Sequence, residues 1–237
     1  MSAEPPIWLS DPADAGLAPS DVPSAEPIRV PDRLTERARG VPVVDDGEPL
    51  APVEGVLDVH RVYAKLPFRD MPPQVLLRRS VLDRLVAARD ALPAPFSLTV
   101  IDGWRSRRFQ AELLEHYSAR HESVDGFVSD PDDEVLLPPH VAGAAIDLTL
   151  THRGRPLALG TDFDALVPES AVNWFETSSQ ESVDDELARR LRRLLAGALL
   201  GAGFSLLPEE WWHWSFGDQR WAAFYGARHA RYGLTSP

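Results

Sequence analysis

PPHVAGAAIDLTL, residues 138–150, is a run of small and branched apolar residues fit for a buried strand, yet it carries one histidine and one aspartate. A carboxylate in such a place is costly unless it is paired or binds a cation. With an alternation of two, Ala144, Ile146, Leu148 and Leu150 turn to a core, and Ala145, Asp147 and Thr149 turn to a cleft or to solvent. His140 lies just before the strand, separated from it by a glycine that lets the chain turn, so His140 and Asp147 can converge on one point.

The same mixture of elements extends outward from this strand. FSLTVIDGW (96–104) reads as a strand ending at Gly103, and RSRRFQAELLEHYSARH (105–121) as a helix starting beside that strand end. Val75, Leu76, Leu82, Leu85 and Val86 make one apolar stripe across 74–91, the pattern of an amphipathic helix. A long helix is expected over 184–203, with Asp184, Asp185 and Glu186 complementing its N-terminal dipole and Gly201 or Gly203 ending it. EEWWHWSFG reads as a last strand and QRWAAFYGAR as a short terminal helix. VPVV at 41–44 is a short β-like run, and RGRPLALGTDFDAL a turn followed by extended chain. A few strands mixed with about three main helices, without strict βαβ alternation, define an α+β class with a small antiparallel sheet. Residues 1–37, rich in Pro, Ala, Ser, Asp and Glu, read as an irregular arm on the surface or partly disordered, and 38–237 as a single domain.

Composition excludes several functions. The net charge of −12 over 237 residues argues against a nucleic-acid partner. There is no cysteine, which removes disulfides and thiolate metal sites. MSAEPPIWLSDPADAG has neither a basic n-region nor an apolar h-region, and no stretch approaches the roughly 20 apolar residues of a membrane span. The expectation is a soluble, cytoplasmic protein with no membrane partner.

The second half adds chemistry to the His140–Asp147 pair. EEWWHWSF offers His213 among aromatics, with Glu210 three residues earlier. Two imidazoles and a carboxylate are a ligand set for catalytic zinc that leaves a fourth position for water, and a carboxylate that is not a ligand can act as general base on that water. In a straight strand Glu210 and His213 face opposite sides, so a turn near Pro208–Glu209 is needed to bring them together. Arg105, directly after the strand end, is a guanidinium placed to stabilise charge on a substrate oxygen. The plainer alternatives are an aromatic-packed core histidine, a solvated loop acid and a helix-terminal arginine. His60, His116, His121, His152 and His229 match no motif; GALLGAG sits at a helix end and is no nucleotide loop; RRLRR is the solvated face of an amphipathic helix.

DGWR (102–105), HVAGAAIDLTL (140–150), GTDFD (160–164) and EWWH (210–213), in this order, resemble the D-alanyl-D-alanine dipeptidases, the zinc metallopeptidases of the vancomycin-resistance type, related to D,D-carboxypeptidases and the hedgehog-like fold. The resemblance spans roughly residues 40–225. It implies one zinc per chain held by His140, Asp147 and His213, with Glu210 as catalytic base and Arg105 polarising the scissile carbonyl. It further implies that Asp164 holds the free amino group of a small dipeptide substrate, with Tyr63 near the same ammonium and Asp102 orienting Arg105 or a ligand. The sequence departs from the family pattern at Pro138, Val141 and Ala142, where a serine and a Ser-Arg pair are usual, and LPFRDMPP (66–73) replaces the usual Asn-Phe-x-Gly segment. That serine helps hold the substrate carboxylate. The implied activity is therefore D-Ala-D-Ala hydrolysis, with a different dipeptide or a metal-holding binding module as the alternatives.

Overall fold

The computed structural model describes residues 7–177 and 182–237. Along the chain run α1 (Leu34–Arg39), β1 (Leu50–Pro52), β2 (Asp58–Val59), β3 (Leu76–Arg78), α2 (Arg79–Asp90), β4 (Phe96–Asp102), α3 (Arg107–Ser118), β5 (Ala145–His152), β6 (Arg155–Pro156), α4 (Trp174–Thr177), α5 (Val183–Gly201), β7 (Ser205–Leu207), β8 (Glu210–Ser215) and α6 (Gln219–Tyr225).

β5, the strand of the opening stretch, is the axis of a six-stranded sheet of order β2-β4-β5-β8-β7, in which β8 flanks the first half of β5 and β6 its end. Pairing is antiparallel except at the edge, where β2 runs parallel to β4. All eight residues of β5 are buried, so its polar face is covered as well as its apolar one. There the side chains find partners: Thr149 donates to the Leu157 carbonyl at 2.5 Å, and the Thr99 and Thr151 hydroxyls meet at 2.5 Å.

The longer helices are α2, α3 and α5. α5 is launched by Ser182, whose hydroxyl accepts the Asp185 N–H, and its buried stripe includes Leu187, Leu191, Leu195 and Leu199. α2 buries Val81, Leu82, Leu85 and Ala88. These two helices pack on each other and on the sheet. Each fully buried leucine removes apolar area worth about 1.5–3 kcal/mol from water.

Two expectations need correction. The helix read over 74–91 begins only at Arg79, because Leu76–Arg78 are drawn off as a strand pairing with β1. The VPVV run makes a single bridge, Val43 with Ala230, rather than a strand. The α+β class with a small, mainly antiparallel sheet holds, and short β2 adds to one edge in parallel. As for the arm, its first six residues lie outside the described residues. The remainder is irregular but packed: Leu9, Leu17, Val22 and Ile28 join the main core, and Ser10 exchanges backbone hydrogen bonds with Pro156 and Ala158. α1 straddles the expected boundary at residue 37.

Candidate active site

Sheet register assembles the first half of the site. Asp102 of β4 stands opposite Asp147 of β5, which stands opposite His213 of β8, so three polar residues form one row across adjacent strands. The row depends on irregularities. In β4 the register shifts between Val100 and Asp102, and this extra residue turns Asp102 to the face of Asp147 instead of the core face. In β8 the pairing jumps from Leu206–Trp214 to Leu207–Glu210. Three residues are thereby looped into β8, an odd number relative to regular pairing, and Glu210 comes to the same face as His213. The geometric difficulty is thus resolved inside the strand.

His140 arrives from the turn before β5. Gly143 makes that turn at φ +68, where a Cβ would lie 2.6 Å from Leu50 Cδ2. Arg78, buried beneath, holds the turn through its backbone N–H to the Gly143 carbonyl and its Nε to the Ala142 carbonyl. At Gly103 a Cβ would come within 2.6 Å of the Leu76 carbonyl oxygen, so only glycine lets the β4 end approach β3. The Gly103 carbonyl then accepts the His140 Nδ1–H at 2.7 Å, which fixes the tautomer and leaves the Nε2 lone pair facing inward.

The three donor groups converge. His140 Nε2 lies 3.2 Å from His213 Nδ1 and 3.4 Å from Asp147 Oδ2, and His213 Nδ1 lies 3.1 Å from Asp147 Oδ1. Ligand bonds of 2.0–2.1 Å at tetrahedral angles put donor atoms roughly 3.3 Å apart, so the trio fits a small divalent metal. Among the described residues this is the one group of three or more His, Cys, Asp or Glu positioned to hold an ion. Protonation agrees. Burial alone would raise the Asp147 pKa, but His140, His213 and Arg105 hold it well below the usual carboxylate range. Burial lowers His213 to about 4, so its imidazole is neutral and able to donate a lone pair.

Arg105 sits just before α3, whose N-cap is Ser106. It donates Nε to Asp102 Oδ2 at 2.7 Å, Nη1 to Gln110 Oε1 at 3.1 Å and Nη2 to Asp147 Oδ2 at 2.8 Å. These bonds use three of the five guanidinium N–H groups and leave two for a ligand. Burial works against its charge, but Asp102, Tyr63 and Asp147 more than offset this and raise its pKa. Replacing Arg105 by Met strands two buried carboxylates. Urea unfolding is expected to register a loss of about 3–5 kcal/mol, and an unchanged midpoint would mean that the row does not depend on this cation.

Glu210 is buried with its Oε2 3.7 Å from His213 Nδ1, outside the donor trio. Burial, then the negative charges of Asp147 and Asp164, push its pKa well above the carboxylate range. Asp164 lies on the loop after β6, held at φ +57. Its neighbour Asp162 shapes that loop by accepting the Trp8 and Leu9 N–H groups of the arm. Tyr63 donates to Asp164 Oδ2 at 2.6 Å, and Tyr117 donates to the same oxygen. Burial pushes the Asp164 pKa up to about 7. Asp102 lies behind Arg105 and lines a separate small cavity.

One pocket is lined by His140, Asp147, His213, Glu210, Arg105, Asp164 and Tyr63, so every sequence-selected site residue but Asp102 faces it. Two of its other lining residues, Tyr117 and Arg220, escape sequence reasoning. Tyr117 continues the Phe109–Leu113 stripe of α3 and reads as core, with nothing to mark its hydroxyl; Arg220 sits in a short terminal helix that suggests no role. Trp212 lines the pocket as well as packing against Phe163.

This arrangement of buried donors, an uncommitted acid and a buried guanidinium defines a metal-dependent peptidase, and comparison with known proteins agrees. The D-ala-D-ala dipeptidase family matches residues 84–232. A D-alanyl-D-alanine dipeptidase of Synechocystis sp. is 33% identical over 224 residues, covering 80% of this chain and 90% of the relative. The chain belongs to the D-alanyl-D-alanine dipeptidase family and is a metallopeptidase. Among solved structures, the vancomycin-resistance D,D-dipeptidase VanXYg in complex with a D-Ala-D-Ala phosphinate analogue is more distant, at 19% identity and a TM-score of 0.40, with 81% of this chain and 70% of that chain covered. No helix among the described residues is long and apolar enough to cross a membrane.

Proposed function

We propose that the protein is a zinc-dependent dipeptidase that hydrolyses D-Ala-D-Ala, or a closely related dipeptide with a free amino terminus. The observation that carries this reading is the company kept in one buried pocket: a metal-donor trio, an acid outside it, and a second acid held by two tyrosine hydroxyls. Two imidazoles and one carboxylate, with no thiolate in the chain, favour zinc with an open fourth position. These residues would hold the metal, which when bound would supply a water of lowered pKa, toward about 7, and a Lewis acid for a carbonyl oxygen.

The chain's own residues do the rest. Glu210 takes the proton of the attacking water and returns it to the leaving amine, a double duty suited to a carboxyl with a raised pKa. Arg105 directs its two spare N–H groups toward the negative charge that develops on the carbonyl oxygen, while Asp102, Gln110 and Asp147 keep the guanidinium from rotating away. Asp164 pairs with the substrate ammonium. A fixed acid on one side of the cleavage machinery limits the chain that can lie between amine and scissile bond, which selects dipeptides.

The Asp164 role predicts a pH dependence. With its pKa near 7, the carboxyl is protonated below that pH and cannot form the ion pair. kcat/KM is expected to rise as pH increases through about 7, because this parameter reports the free enzyme. Asp164→Asn is expected to flatten that limb and to lower kcat/KM for the free dipeptide by about 10- to 100-fold, the worth of a charged hydrogen bond. An unaltered profile in this variant would remove Asp164 from the reading. The reading as a whole is tested on a panel of D-Ala-D-Ala, its L,L, L,D and D,L isomers, and N-acetylated controls. Cleavage of the free D,D compound and refusal of the acetylated ones is the expected result, and preference for N-acetylated peptides would overturn it.

A further inference from the structure

Four arginines are buried among the described residues: Arg78, Arg105, Arg192 and Arg220. Three are fastened by protein partners. Arg78 donates to the carbonyls of Ala142, Glu48 and Gly233 and to Asp45. Arg192 donates to the carbonyls of Leu159, Ala171 and Glu169, and Arg105 to Asp102, Gln110 and Asp147. Arg220 is different. It is 7% exposed, its Nε has no hydrogen-bond partner, and it lines the pocket that holds the metal-donor trio. No ion pair fastens its guanidinium among the described residues.

A buried cation without partners is costly, and guanidinium has the planar fork that matches a carboxylate. The acids nearest in effect are spoken for. Asp218 accepts from Ser215 Oγ and the Trp221 N–H. Asp133 accepts the Val135 and Leu136 N–H groups and pairs with Arg39. The position of Arg220 is fixed rather than incidental: Gln219, its neighbour, clasps the loop leading to His140 by accepting the Leu137 N–H and donating to the Val41 and Val135 carbonyls. The charge of Arg220 is felt at His213. One pocket thus presents a buried acid and a free buried guanidinium with the metal donors, a complement to a molecule that carries both an ammonium and a carboxylate.

We propose that Arg220 is a specificity-determining residue that binds the free C-terminal carboxylate of the dipeptide and makes the enzyme demand a zwitterion. This rests on the dipeptidase reading and extends it to the other end of the substrate.

The test pairs two ligands, D-Ala-D-Ala and its C-terminal amide, with wild type, Arg220→Lys and Arg220→Gln, all zinc-loaded and checked for fold by circular dichroism. Steady-state kinetics and calorimetric binding are measured in parallel. Wild type is expected to favour the acid, and Arg220→Gln to raise KM for the acid by roughly 10- to 100-fold with little change for the amide, Arg220→Lys recovering part of the loss. Equal losses on acid and amide, or none on either, would overturn the assignment. If wild type binds the acid in an Arg220-dependent manner without cleaving it, the dipeptidase reading falls and the carboxylate site stands. If it neither cleaves nor binds, both fall.

Discussion

Glu210→Gln is expected to lower kcat by about 10²- to 10⁴-fold, the usual contribution of a positioned general base, while the metal content of the protein is unchanged. The first half of the expectation follows from chemistry: glutamine keeps the size of the side chain but cannot accept a proton from water. The second follows from geometry. Glu210 Oε2 stands 3.7 Å from His213 Nδ1, whereas the donors of the trio lie 3.1–3.4 Å apart, so the trio closes without it. The variant also removes a buried acid set among the negative charges of Asp147 and Asp164, which raise its pKa. Its unfolding midpoint should therefore hold or rise. Turnover at the wild-type rate with stoichiometric metal would mean that another group takes the proton.

His140→Ala is expected to weaken metal binding by more than about 100-fold, since losing even an outer partner of a ligand costs 10- to 100-fold, and to abolish hydrolysis. The three lone pairs are pre-set in this chain. The Gly103 carbonyl fixes the His140 tautomer, burial keeps His213 neutral down to about pH 4, and neighbouring groups keep Asp147 ionised. Because burial keeps protons off His213 until the pH falls toward 4, this ligand is expected to keep its lone pair for the metal down to that range. Dialysis against a chelator followed by metal titration, read as bound metal and as activity, checks both statements. Full activity in the metal-free protein would contradict them.

How much of this was legible in the sequence depends on which force positions each residue. His140, Asp147, His213 and Glu210 stand out because polar groups in apolar runs demand a reason. Alternation along β5 separates Asp147 from Ile146 and Leu148, and that holds: of the two surroundings expected for the polar face, cleft or solvent, Asp147 meets the cleft. The meeting of Glu210 and His213 was not legible. It depends on a register jump against β7, a strand of three residues that the Ser205–Leu207 run does not announce. Nor was the shift in β4 that turns Asp102 toward Arg105, because a bulge follows from cross-strand partners and not from local preference. Tyr117 and Arg220 were hidden for another reason: on an amphipathic helix the buried face is visible from spacing, but which buried side chain opens into a pocket is a tertiary fact. The arm differs in the opposite sense: its proline-rich composition conceals Leu9, Leu17, Val22 and Ile28, which are buried in the core.

The most direct measurement is the release of free D-alanine from D-Ala-D-Ala by the purified protein, with and without one equivalent of zinc. Two D-alanine molecules per dipeptide consumed, only in the zinc-loaded sample, is the expected result. A folded, zinc-loaded protein that releases none, or a metal-free one that releases as much, would contradict it.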